Sequence, residues 1–290
     1  MNEFVIDKKA MRQAFSRAAE GYDASAVLQR EVCMRMLERL EYIKLQPARL
    51  LDAGSGTGWG GRQLAEKYPA AQVISLDIAI GMLQTSKSRS SWWQKLFGGC
   101  RQLPVCADVE ALPLAANSLD MVWSNLAVQW CNDLPATFVE LHRVLKTEGL
   151  LMFSTLGPDT LKELRQAFKG VDERSHLNRF ADMHDIGDML VQAGFAEPVM
   201  DMEYLTLTYE DVRGVLQDLK AIGAHNTTAG RGQGLMGKAA WARLLENYEK
   251  LRRDGKLPAT YEVVYGHAWK PAPRVNRDGA AIIKTSFKIK

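Results

Sequence analysis

Apolar positions along this chain change period twice. From Lys8 to Leu40 they recur at helical spacing, with Met11, Phe15, Ala18 and Ala19 in one stripe and Val32, Met36, Leu37 and Leu40 in another. Gly21-Tyr22-Asp23 between the stripes predicts a break. After Pro47 the pattern becomes short apolar runs: Arg49-Leu50-Leu51, Gln72 to Leu76, Pro104-Val105-Cys106, Ser118 to Asn125, Leu150 to Thr155, Val199 to Thr208 and Tyr261 to Trp269. Helical stretches lie among them: Gly61 to Tyr68, Leu134 to Lys146 with Phe138, Leu141 and Leu145 on one side, and Asp182 to Ala193 stopped by Gly194. Strands alternating with helices predict an α/β fold with a seven-stranded, doubly wound, mostly parallel Rossmann-like sheet. The stretch from Tyr209 to Pro258 is too long for a simple connection and carries helical periodicity, so it reads as a helical lid inserted before the last strand. The expected layout is one domain over 1–270: an N-terminal helical cap about 8–45, a core about 48–208 and 259–270, and the lid 209–258. A basic tail follows at 271–290.

The chemistry concentrates in Leu51-Asp52-Ala53-Gly54-Ser55-Gly56-Thr57-Gly58-Trp59-Gly60. A strand, an acid and closely spaced glycines ahead of a helix form the first turn of a nucleotide-binding sheet, where the missing β-carbons let backbone touch a ligand. Asp77 ends the second strand 25 residues after Asp52, at a spacing suited to an acid that accepts both ribose hydroxyls. Asp108 follows the third strand.

Composition narrows the options. A hydrophobic fraction of 47% with 24% charged residues is ordinary for a globular chain. The net charge, 37 − 34 = +3, is too small to argue for a nucleic-acid partner. Cys33, Cys100, Cys106 and Cys131 form no Cys-x-x-Cys pair, which argues against a zinc site. The first residues lack the apolar run of a signal peptide, and no run of 18 apolar residues occurs to span a membrane. The expectation is a cytoplasmic protein with neither a membrane nor a metal.

Asp52-x-Gly54-x-Gly56-x-Gly58 resembles motif I of the class I S-adenosylmethionine (SAM) methyltransferases, and Asp108 to Leu114 resembles their D-x-x-x-L-P segment. More specifically, Trp123-Ser124-Asn125-Leu126-Ala127-Val128-Gln129-Trp130-Cys131 resembles the malonyl-[acyl-carrier protein] O-methyltransferases of biotin synthesis. So do Phe15 to Ala19 with Tyr22, Asn178-Arg179-Phe180 with Val171 to Arg174, and Leu219 to Ala224. The likeness spans about residues 10–270; Ser55 stands where that family often has Cys. Gly157 to Arg165 and Tyr261 to Lys270 also resemble a sister group that acts in respiratory complex I assembly and has been associated with arginine hydroxylation.

The resemblance implies SAM as cofactor, with S-adenosylhomocysteine as product. Asp52, Gly54, Gly56, Gly58, Asp77, Ile78, Met82, Asp108, Val109 and Asn125 would border it, with Asp108 on the adenine amino group. Tyr22 would cap the pocket and, with Asn125, stand at the reacting centre; Gln129 would face the acceptor. Trp123 and Trp130 are read either as walls of the site or as core. The implied substrate is malonyl on acyl carrier protein, or malonyl-CoA. An Arg would grip its carboxylate by a two-point salt bridge: Arg179 first, Arg17 second. The acceptor carboxylate is ionised at neutral pH, so no general base is required. Residues 230–257 hold Arg231, Lys238, Arg243, Lys250, Arg252, Arg253 and Lys256 against Glu246, Glu249 and Asp254. Lys238, Arg243, Arg252 and Arg253 are the candidates for docking an acidic carrier. A SAM-fold hydroxylase or assembly factor acting on a protein partner, and a SAM-binding module without chemistry, are the competing readings.

Overall fold

The computed structural model describes residues 5–89, 102–171, 178–221 and 237–273. The readings made for Cys100, Asp172 to Arg174, Ile222 to Ala224, Arg231 and the tail beyond Pro273 lie outside them.

Three helices open the chain: α1 (Lys8–Ala18), the single turn α2 (Tyr22–Ser25) and α3 (Val27–Arg39). The expected break at Gly21 to Asp23 is a helical turn beginning on Tyr22, whose ring packs in a cluster with Ala19, Ala79 and Met82. The core then runs β1 (Arg49–Ala53), α4 (Trp59–Lys67), β2 (Gln72–Asp77), α5 (Ile80–Arg89), β3 (Gln102–Cys106) and β4 (Leu119–Ser124). It continues with α6 (Leu134–Val144), β5 (Leu145–Leu156), α7 (Lys162–Phe168), α8 (Met183–Gln192) and β6 (Ala196–Tyr209). Finally α9 (Val212–Ala221) and α10 (Lys238–Glu249) precede β7 (Leu257–Trp269).

The seven strands lie in the order β3-β2-β1-β4-β5-β7-β6. The first five are parallel, while β7 runs antiparallel between β5 and β6. Side chains alternate across the sheet, and each face has its own cover. Leu50, Val73, Met121 and Met152 pack on Val32, Met36, Leu64, Val215 and Leu244. Leu51, Ile74, Val122 and Phe153 pack on Phe138, Leu141, Ile186 and Leu190.

Boundaries shifted where pairing overrode local propensity. α6 stops at Val144 because Leu145 already pairs with Leu119; Glu148, at φ +62°, turns the strand before Gly149. β6 starts at Ala196, three residues early, across a register shift at a left-handed Glu197. β7 begins at Leu257, within the segment assigned to the lid, since it pairs with Tyr209. The inserted helices are built into the core: Leu244 and Tyr248 of α10 are fully buried, and the Tyr248 hydroxyl donates to the Pro258 carbonyl at 2.9 Å.

Candidate functional site

The strand order reverses beside β1, where β2 leaves to one side and β4 to the other. Loops after the carboxyl ends of β1, β2, β3 and β4 meet there, the usual crevice of such sheets. They wall a cavity of about 380 Å³.

At one end of the cavity lie Gly54, Gly56, Asp77, Ile78, Met82, Asp108 and Val109. Gly54 and Gly56 have φ of +80° and +54°, which favour glycine, and a β-carbon on Gly54 would overlap Ala127. The turn is stitched to β2: the Gly54 and Ser55 amides donate to the Leu76 carbonyl at 2.8 and 2.9 Å. Asp77 accepts from the Gly56 amide through one oxygen and from the Ala79 amide through the other, both at 2.8 Å. Each oxygen keeps a lone pair for a ligand hydroxyl. Burial pushes this carboxyl up to about 6, against the pull of those two amides. Asp108 accepts from the Glu110 amide and from Lys8 Nζ, each at 3.1 Å. Lys8 also reaches Glu110 at 2.7 Å; burial opposes its charge, but these acids outweigh burial and hold its pKa above the ordinary value.

The other end is apolar. Leu126 and Trp130 after β4, Leu156 and Leu161 after β5, Leu164 and Phe168 of α7, Leu216 and Leu219 of α9, Trp241 and Leu244 of α10 and Tyr261 of β7 line it. Leu126 and Leu161 both sit at left-handed φ, +49° and +55°, an uncommon conformation for bulky residues. Trp130 packs edge-on against Phe15 at 5.3 Å, so α1 closes this wall.

Tyr22, Asn125 and Gln129 also line the cavity, with the Tyr22 ring packed near Ala79, Met82 and Gly56. Burial and then the nearby Asp77 raise the Tyr22 phenol, so it stays protonated and acts as a donor rather than a base. Asn125 is fixed at both ends of its amide: it donates to the Gln29 carbonyl at 2.9 Å and accepts from Ser154 Oγ at 3.0 Å. Gln129 donates to the Leu126 carbonyl at 2.8 Å. The Gln29, Gln129 and Asn178 side-chain oxygens are buried without a protein partner.

Other expected residues stand elsewhere. Asp52 is buried behind the glycine turn and borders a second cavity of about 50 Å³, shared with Tyr22, Gln29, Arg30, Gly54, Thr57 and Asn125. Burial and then Asp77 push the Asp52 carboxyl up to about 7. Gly58 lines neither cavity; at φ +76° it starts α4, and a β-carbon there would press on Ser86. Trp123 is fully buried core. Arg17 is exposed at the last turn of α1, and Arg179 is exposed between Asn178 and Phe180, which do line the cavity. The only basic side chain in the wall of the larger cavity, among the described residues, is Lys8. Lys8, Gln29 and Arg30 went unread in the sequence. For Lys8 the signal exists, since it shares the helical face of Met11 and Phe15 at i+3 and i+7.

No cluster of His, Cys, Asp or Glu that could hold a metal occurs among the described residues, and no described helix is long and apolar enough to cross a membrane. The polar end fits the SAM implied by the sequence: glycines without β-carbons, a carboxylate with open lone pairs at Asp77, and a second acid at Asp108.

Comparison with known proteins agrees. The family described as "Methyltransferase domain" matches residues 51–153, from the glycine turn to β5. The YcgJ protein from Bacillus subtilis shares the fold with a TM-score of 0.57 and 15% identity, over 82% of this chain and 98% of that one. The biotin biosynthesis bifunctional protein BioHC of Saccharophagus degradans is 41% identical, over 89% of this chain and 46% of its own length. The malonyl-[acyl-carrier protein] O-methyltransferase of Nitrosospira multiformis is 60% identical over 281 residues, 93% of this chain and 92% of that protein. By its cavity, its strand order and identity along nearly its whole length, this chain belongs to the malonyl-[acyl-carrier protein] O-methyltransferase family.

Proposed function

We propose that this protein is an enzyme that methylates the free carboxylate of malonyl held on acyl carrier protein, giving the malonyl methyl ester that primes biotin synthesis. The observation that carries this reading is the two-ended cavity: a polar cradle of Gly54, Gly56, Asp77 and Asp108 opening into an apolar chamber. Bound there, SAM supplies a methyl group activated on a sulfonium. The chain supplies binding, alignment and dryness. Asp77 and Asp108 hold the nucleoside; Tyr22 and the immobilised Asn125 fix the junction where acceptor and methyl meet. The acceptor arrives as an anion, so no residue has to remove a proton. Its charge is consumed in the reaction, and Leu126, Trp130, Leu161 and Tyr261 keep out the water that would stabilise the separated ions.

Arg179, flanked by two residues of the cavity wall, is our candidate for malonyl selectivity. An ion pair to the carboxylate stabilises the ground state at least as well as the transition state, so it selects rather than accelerates. Arg179→Ala should cost about tenfold in discrimination between malonyl and longer dicarboxylyl thioesters; unchanged discrimination removes it from that role. For carrier docking, Lys238, Arg243 and Arg253 are exposed, whereas Arg252 is engaged by Glu249 at 2.9 Å and by the Glu210 and Gly255 carbonyls. Malonyl-CoA, lacking the acidic carrier, would be the poorer substrate.

The decisive assay incubates purified protein with labelled SAM and malonyl carrier protein. Methyl ester on the malonyl group supports the proposal. Cofactor binding without turnover points to a SAM-binding module, and partner-dependent hydroxylation points to the sister group. Restored growth of a biotin-requiring, methyltransferase-deficient strain would extend the result to the cell.

A further inference from the structure

Lys8 begins α1 and stands in the cavity wall beside Asp108. Its ammonium reaches two acids at once, Asp108 Oδ1 at 3.1 Å and Glu110 Oε2 at 2.7 Å. The three side chains are only 22 to 30% exposed, so water and salt screen this attraction incompletely. Neighbouring contacts fix the arrangement. The Ile6 amide donates to Asn132 Oδ1 at 2.8 Å, and Asn132 Nδ2 donates back to the Ile6 carbonyl at 3.1 Å. This clips the stretch that carries Lys8 to the loop between β4 and α6. The second Glu110 oxygen accepts from the Asn132 and Asp133 amides of the same loop. Asp108 is thereby held through one oxygen: Oδ1 takes both Lys8 and the Glu110 amide, and Oδ2 accepts from no described residue.

A carboxylate oxygen can only accept, so Oδ2 suits a base that presents an amino group and repels one that presents a carbonyl. We infer that Lys8 is a positioning residue for the base of the donor: by occupying Oδ1 it leaves Oδ2 to the adenine amino group, and so selects adenine over a 6-oxo purine. This rests on the SAM reading above. Lys8 acts through Asp108 and touches no reacting atom. Two acids around one cation leave a net negative charge at the base, the sign that an amino donor requires. Without the ammonium, Asp108 and Glu110 would stand close as uncompensated like charges. Asp108 would then turn from its present orientation, and the choice of base would weaken.

Calorimetric titration with two ligands reads that choice. S-adenosylhomocysteine and S-inosylhomocysteine differ by an oxygen in place of the amino group. The unsubstituted protein should prefer S-adenosylhomocysteine about 100-fold. Lys8→Met, similar in reach and without charge, should cut the preference to about tenfold by weakening S-adenosylhomocysteine. Lys8→Arg should restore most of it, since its fork can also bridge two acids. S-inosylhomocysteine affinity within about twofold shows that the variant pocket is folded. No preference in the unsubstituted protein, an unchanged preference in Lys8→Met, or equal weakening of both ligands would overturn the inference while leaving the cofactor reading intact. An unsubstituted protein that binds neither ligand would overturn both.

Discussion

The two ends of the main cavity are made in different ways. The nucleoside end comes from short stretches at the tips of β1, β2 and β3, and its polar groups are held by backbone: the Gly54 and Ser55 amides on Leu76, and the Gly56 and Ala79 amides on Asp77. The acceptor end is gathered from distant segments, α1 at one extreme and β7 at the other, and is nearly all apolar. One end is preorganised by local hydrogen bonds, the other by packing. Binding the donor and excluding water are therefore separable properties, and substitutions at the two ends should have different signatures.

The largest effect is expected at Asp77. Asp77→Ala removes the anchor of the glycine turn and the acceptor for the ribose together, and should weaken S-adenosylhomocysteine about 100-fold, on the order of 3 kcal/mol, by calorimetry. A loss below about threefold would show that the turn holds without it. At the opposite end, Trp241→Ala opens the apolar chamber. It should lower kcat/KM for the carrier-bound substrate about tenfold while cofactor affinity stays within about twofold. A matching loss of cofactor affinity would mean the two ends do not act separately.

Acidity sharpens the contrast. Burial raises the Asp52 carboxyl from its ordinary value of 3.8 to about 7, so between those values the folded chain binds more protons than the unfolded one. Folding stability from this group is present below pH 4 or so and is lost as pH rises through about 7. Thermal unfolding should show Tm falling across this window. Asp52→Asn should flatten the fall by a few degrees, following roughly 2–4 °C per kcal/mol in larger domains; an identical slope would contradict the assignment. The smallest effect is expected outside the cavity. Lys238→Glu with Arg243→Glu should raise KM for the carrier-bound substrate about fivefold at low salt, fade at high salt, and spare malonyl-CoA.

This asymmetry also governs what the sequence discloses. The nucleoside end is legible because its constraints are local: glycine is required at the left-handed Gly54 and Gly56, and Asp77 must close a strand. The seven strands were legible as apolar runs, and their ends were misread where pairing set them, at Leu145 and Leu257. Apart from Gln129 and Trp130, the acceptor end was illegible because Leu164, Leu216 and Trp241 look like ordinary core; only the tertiary fold makes them a cavity wall. Arg17 shows the limit of choosing a residue by type. It lies six residues beyond Met11, about 240° around the helix at 3.6 residues per turn, and so turns outward where Met11 and Phe15 face the cavity. Arg30 lay unread because only the tertiary fold brings it to the wall of the smaller cavity.

A crystal structure of the protein with S-adenosylhomocysteine tests the division of the cavity most directly. The account predicts ribose hydroxyls on Asp77, adenine beside Asp108 and Val109, and the chamber under α9 and α10 free of cofactor. A nucleoside seated among Leu161, Leu216 and Trp241, with Asp77 untouched, would contradict it.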